Sequence, residues 1–188
     1  MFATMALSAQ TERGRFIISG QTSLDFSYSS DNTSHVSSSG GTITQESYSL
    51  NITPGVGYFV VDNFAVLLQA SYIMENADYI DKMSQFTFTP SLSYYIPTGG
   101  TIRPFIIAGA GYANITQHIP IQNNATSRHS FSGYTLSVGL GAAYFINNWI
   151  SLDLNVEYSD INTSYSGDSS LKIKMNGFSG AIGFSLFL

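Results

Sequence analysis

The strongest constraint on this chain is a two-residue alternation of side-chain character that recurs along most of its length. In Tyr48, Leu50, Ile52, Pro54, Val56, Tyr58 and Val60 every even position is apolar. The odd positions between them, Ser47, Ser49, Asn51, Thr53, Gly55, Gly57 and Phe59, are mostly small or polar. The same division returns in Tyr134, Leu136, Val138, Leu140, Ala142, Tyr144 and Ile146, and again in Ile150, Leu152, Leu154, Val156 and Tyr158. A period of two sends successive side chains to opposite faces, so these segments are strands, and helical periodicity is hard to find anywhere. Marked in this way, the strands fall at about 14–29, 45–61, 64–76, 84–96, 103–115, 131–146, 149–159 and 171–188. The expected fold is all-β: eight antiparallel strands in an up-and-down transmembrane β-barrel. Short connections (62–63, 97–102, 147–148) alternate with long ones rich in Ser, Thr, Asn and Gly (30–44, 77–83, 116–130, 160–170). That is the pattern of a barrel with one plain end and one elaborated end, with both termini on the plain side.

Alternation alone does not say whether the apolar face meets lipid or a buried core. Charge decides it. Asp, Glu, Lys and Arg make up 10% of the 188 residues, against roughly 25–35% on an ordinary soluble surface. The opposite face is built mainly of Gly, Ser, Thr and Ala, which fit inside a narrow eight-stranded barrel. The apolar face therefore points outward, into lipid.

Aromatic spacing agrees. Tyr48 and Tyr58, like Tyr134 and Tyr144, lie ten residues apart. On tilted strands that separation spans roughly 25 Å, the height of an apolar membrane band. Tyr28, Tyr48, Tyr72, Tyr112, Tyr134 and Tyr158 are expected in an outer belt, and Tyr58, Tyr94 and Tyr144 in an inner one. A weak repeat, Ile52-Thr53-Pro54-Gly55-Val56-Gly57-Tyr58-Phe59-Val60 against Phe88-Thr89-Pro90-Ser91-Leu92-Ser93-Tyr94-Tyr95-Ile96, places an aromatic pair before each of two short turns. Pro54 and Pro90 each remove a ladder hydrogen bond within a strand, and a local bulge is expected there. Arg15, Asp25, Arg103, Asp153 and Glu157 fall on the polar face. Because unpaired buried charge is costly, Asp153 is expected to pair with Arg15 or Arg103.

Several functions are excluded or left unsupported. A net charge of −5 and no Lys/Arg run argue against a nucleic-acid partner. The absence of cysteine rules out disulfides and thiolate metal sites. His35, His118 and His129 lack metal-ligand spacing, and no cofactor or metal is expected. Gly109-Ala110-Gly111 and Gly139-Leu140-Gly141 sit within strands, with no helix to make a nucleotide loop. Residues 1–9, ending in Ser8-Ala9, read as the remnant of a signal peptide, leaving 10–188 as the barrel.

Three pieces carry a resemblance to a known family. They are Pro54-Gly55-Val56-Gly57-Tyr58-Phe59, then Arg103-Pro104-Phe105 with Ala108-Gly109-Ala110-Gly111-Tyr112, and the terminal face Phe178, Gly180, Ile182, Phe184, Leu186 and Leu188. Over residues 11–188 the chain resembles the small bacterial outer-membrane β-barrels with a porin-like barrel domain, similar to outer-membrane proteins A and X. The resemblance implies an outer-membrane location in a Gram-negative envelope and contact with membrane lipid and lipopolysaccharide. It also implies delivery by the outer-membrane assembly machinery through the terminal strand, whose usual final aromatic is replaced by Leu188.

The expected role is structural or surface-interacting and non-enzymatic. It comes with a plugged polar interior, four exposed loops that would meet any surface or host ligand, and a monomeric state. A narrow channel for small or hydrophobic solutes is the alternative. A lipid A-modifying enzyme is a third, on the strength of His35-Val36-Ser37 and His129-Ser130, although His-Ser pairs arise readily in a Ser-rich chain.

Overall fold

The computed structural model describes residues 9–24, 47–77, 80–121, 125–165, 167 and 171–188. Eight strands follow one another: β1 (Phe16–Leu24), β2 (Ser47–Val61), β3 (Phe64–Ala77), β4 (Ile80–Tyr95), β5 (Ile102–Ile121), β6 (Ala125–Phe145), β7 (Ile150–Tyr165) and β8 (Lys172–Phe187). Each pairs antiparallel with its neighbour, and β8 pairs with β1 from Ile17↔Phe187 to Leu24↔Gly180. The sheet thus closes on itself and has no free edge. A ladder followed from Leu24 through Gly180, Val156, Leu140, Ile106, Tyr94 and Phe64 comes down to Val61, beside the start of β1. One circuit therefore shifts by about ten residues, which corresponds to a strand tilt of about 40°.

The inner end is made by tight turns. Asn63 adopts φ 64°, a left-handed conformation that Asn tolerates better than most residues. At the β6–β7 turn the Asn147 side-chain oxygen accepts hydrogen bonds from the backbone N–H groups of Trp149 (2.8 Å) and Ile150 (2.9 Å), the way Asn closes a turn onto its own backbone. Both chain ends meet here, because Phe16 and Leu188 exchange backbone hydrogen bonds of 2.9 Å.

At the other end the structure corrects the expected connections. Segments 116–130 and 77–83 are not loops: β5 runs to Ile121, β6 starts at Ala125, and β4 starts at Ile80. β7 likewise reaches Tyr165. Polar residues on both faces obscure alternation outside lipid, yet the backbone ladder continues, as in Pro120↔Thr126 and Ile121↔Ala125. The expected loop 30–44 lies outside the described residues.

The prolines also differ from expectation. Gly20↔Pro54 and Leu68↔Pro90 keep the register of their ladders, and the register shift in β2 falls between Phe59 and Val61 instead. Each proline turns its missing N–H toward one neighbour, and the ladder is interrupted at 53–54 on the β3 side and at 89–90 on the β5 side. Losing one bond beside an intact ladder is absorbed without an inserted residue.

Candidate functional site

Side chains at odd positions turn inward and those at even positions outward, so the interior can be read from the inner end upward. Its lowest layer is aromatic. Phe59, Tyr95, Phe105, Phe145 and Phe187 are all buried, together with Ile17, Leu67 and Ile107. Their rings touch in sequence: Tyr95–Phe105 at 5.3 Å, Phe59–Tyr95 at 5.6 Å, Phe59–Phe187 at 6.1 Å and Phe145–Phe187 at 4.9 Å between centroids. Such tilted and offset pairs are favourable beyond their buried area. An interior of small polar groups alone is thus corrected for this end. Gly141 gives Phe105 its room, since a Cβ there would stand 2.5 Å from the ring tip and 2.5 Å from the Leu154 carbonyl.

Below the rings the chain folds back under the barrel. Ala9–Thr11 form a short 3-10 turn, and Gln10 and Thr11 are buried. Thr11 donates its hydroxyl to Asn63 Oδ1 (2.5 Å) and accepts Asn63 N–H at its carbonyl (2.6 Å). Gln10 Nε2 reaches Asn148 Oδ1 (3.3 Å), Arg13 N–H reaches Asp62 (2.8 Å) and Gly14 N–H reaches the Phe59 carbonyl (2.9 Å). This segment, which no sequence signal marked, joins two of the short turns across the mouth.

The interior charges are arranged differently from the expected ion pair. Arg103, 2% exposed, donates to the Thr11 hydroxyl and lies against the face of the Phe145 ring, 5.4 Å from its centroid, a cation–π arrangement that partly replaces lost hydration. Asp153 instead takes hydrogen bonds from Ser151 (2.6 Å) and Ser185. Arg15 stacks 5.0 Å from Trp149 at the inner rim. Hydroxyls and aromatic faces meet these groups, and the opposite charge that acts on Arg103 is that of Glu12, not Asp153. Asp25 lies outside the described residues.

Above the rings is a polar cavity of about 190 Å³. Its wall carries amides (Gln21, Gln69, Asn155), many Ser and Thr hydroxyls, and one ionisable side chain, Glu157. Short bonds run along the wall: Thr53 to Ser71 (3.0 Å), Ser91 to Gln69 (3.0 Å) and Asn155 to Gln21 (3.4 Å). Higher still, Ala113, Ile115, Phe131 and Ile161 form a second apolar cluster, joined by Met83, Tyr165 and Ile173.

The outward face is apolar through the middle of the wall. Tyr58, Tyr72, Tyr94, Tyr112, Tyr134, Tyr144 and Tyr158 all point outward, between 37% and 53% exposed. Tyr48 lies on β2, but its side chain is outside the described set, as is Tyr28 altogether. Just beyond Tyr112 and Tyr134 the surface turns polar, where Asn114 Nδ2 donates to Ser130 (3.1 Å) and Ser132 (3.0 Å). His129 and Ser130 are adjacent on β6 and so face opposite sides of the wall. His129 packs 5.4 Å from the Tyr165 ring. His35 lies outside the described residues.

A closed eight-stranded barrel with an apolar outer face and a partly polar interior is the architecture of an integral outer-membrane protein. The chain belongs to the outer membrane protein beta-barrel domain family, whose model matches residues 1–185. It is similar in fold to OprG of Pseudomonas aeruginosa, at 17% identity and a TM-score of 0.59, over 96% of this chain and 98% of that one. It is also similar to Neisserial surface protein A, at 12% identity and a TM-score of 0.58 over 93% and 96% of the two chains. The N-terminal β-barrel domain of OprF from Pseudomonas aeruginosa matches at 14% identity and a TM-score of 0.54, over 94% and 98%. Among curated proteins none matches. The protein resides in the cell outer membrane.

Proposed function

We propose that this outer-membrane barrel is a non-conducting, non-enzymatic protein with a structural or surface-interaction role, held in lipid between its two tyrosine belts. The five-ring layer at the inner end carries this reading. Among the described residues, packed rings with a hydrogen-bonded segment beneath them fill the inner end of the barrel, which supports an interior closed to solutes. The long β5–β6 hairpin supports the surface role. Its ladder continues from Tyr112↔Tyr134 to Ile121↔Ala125, which lifts a paired platform roughly 20 Å beyond the outer belt. Lipid and lipopolysaccharide would contact the wall, and a surface or host ligand would meet the outer connections. Residues 1–9 are proposed as the signal remnant and 10–188 as the barrel. The separation of His129 and Ser130 onto opposite faces speaks against a dyad there.

Planar-bilayer recording of the purified, refolded protein tests this. No steady single-channel current is expected across a wide voltage range. A reproducible conductance that survives substitution of the outer hairpin would overturn the reading in favour of a channel.

A further inference from the structure

The cavity above the rings has a charge balance that the structural role does not explain. Among its described lining residues Glu157 is the one ionisable side chain, and none is Lys, Arg or His. Arg103 is engaged beneath the ring layer with Thr11 and Phe145. The Ser137 hydroxyl is a hydrogen-bond partner of Glu157, but it brings no charge, and a carboxylate enclosed by a wall facing lipid is costly without a positive partner. The remainder of the wall is rich in oxygen: amide carbonyls and hydroxyls of residues such as Gln21, Gln69, Thr89, Thr135 and Asn155. A volume of about 190 Å³ is far above the ~10–15 Å³ that a single water requires, enough for one small ion and its shell.

We propose that this chamber is a binding site for a single alkali cation, held with its water by the Glu157 carboxylate and the surrounding amide and hydroxyl oxygens. One carboxylate balances one positive charge. No cluster of three or more His, Cys, Asp or Glu suited to a metal ion occurs among the described residues, and hard divalent ions ordinarily draw on several carboxylates. The lining therefore matches a monovalent ion. Asp153 has its own hydroxyl partners below and does not line the chamber.

The test is urea unfolding of the refolded barrel in zwitterionic micelles, in potassium, sodium or N-methylglucamine chloride at equal concentration. The bulky amine has the charge but cannot be surrounded by the carboxylate, amide and hydroxyl oxygens as a small alkali ion can. If the salt stands at ten times the dissociation constant, the small cations shift the unfolding equilibrium about tenfold. Glu157→Gln should abolish the difference, and Asp153→Asn should preserve it. An equal midpoint in all three salts, as a neutral Glu157 or a water-filled chamber would give, overturns the proposal. So does a difference that persists in Glu157→Gln. Sodium-23 relaxation on the unmodified protein needs no variant to fold. Broadening that potassium relieves and N-methylglucamine does not is expected, and no broadening contradicts the site.

Discussion

The two halves of the interior use the same backbone for opposite purposes. At the inner end, odd positions carry Phe59, Tyr95, Phe105, Phe145 and Phe187, and the space is filled by rings. A few residues higher on strands β2, β4, β6 and β8, odd positions carry Thr53, Thr89, Thr135 and Ser179, and the space is left as a polar cavity. The barrel radius is set by strand number and stagger and does not change between them. The difference is therefore one of side-chain volume alone: bulky rings make a close-packed layer, and short polar groups make a chamber that water can satisfy.

If that contrast is real, substitutions should cost according to the layer they touch. The largest loss is expected for Phe59→Ala or Phe187→Ala, both fully buried. Removing a packed ring should cost about 3–5 kcal/mol, read as a lower urea midpoint in lipid vesicles. Next comes Val138→Arg, on the outward face and 56% exposed. It should cost about 2–4 kcal/mol if that position meets the middle of the bilayer, whereas a loss near zero would deny it lipid contact. Gly141→Ala should cost about 1–3 kcal/mol through its clash with Phe105, partly relieved when Phe105 is also made Leu. Thr11→Val should cost about 2 kcal/mol by withdrawing the hydroxyl from Asn63 and from the buried Arg103 guanidinium. Protease sensitivity near Arg13 should rise with it. The smallest effect belongs to the chamber: Thr53→Ala should stay within about 0.5 kcal/mol, since water can replace its bond to Ser71.

Much of this was legible in the alternation. Strand number, closure, the outward apolar face and the inner turns all follow from period-two patterning and turn residues. The ring layer could have been read too. In the pairs Tyr58-Phe59, Tyr94-Tyr95 and Tyr144-Phe145 one ring must face outward and its neighbour inward, yet composition suggested an interior of small groups throughout. The outer extensions of β5 and β6 were hidden because Thr116, Gln117, Ser127 and Arg128 give no contrast between faces once lipid is absent. The partners of Asp153 and Arg103 depend on three-dimensional proximity to Ser185 and Thr11, from distant parts of the chain. So does the under-barrel segment, since Gln10-Thr11-Glu12-Arg13 has no periodicity to betray its burial.

Water-edited solid-state NMR on the protein reconstituted in lipid tests the divided interior most directly. Magnetisation from water should reach Thr53, Gln69, Thr135 and Asn155 quickly, and should reach the rings of Phe59 and Phe187 only through slow spin diffusion. Equally fast transfer to both groups would mean that water passes through the ring layer, contradicting the closed inner end.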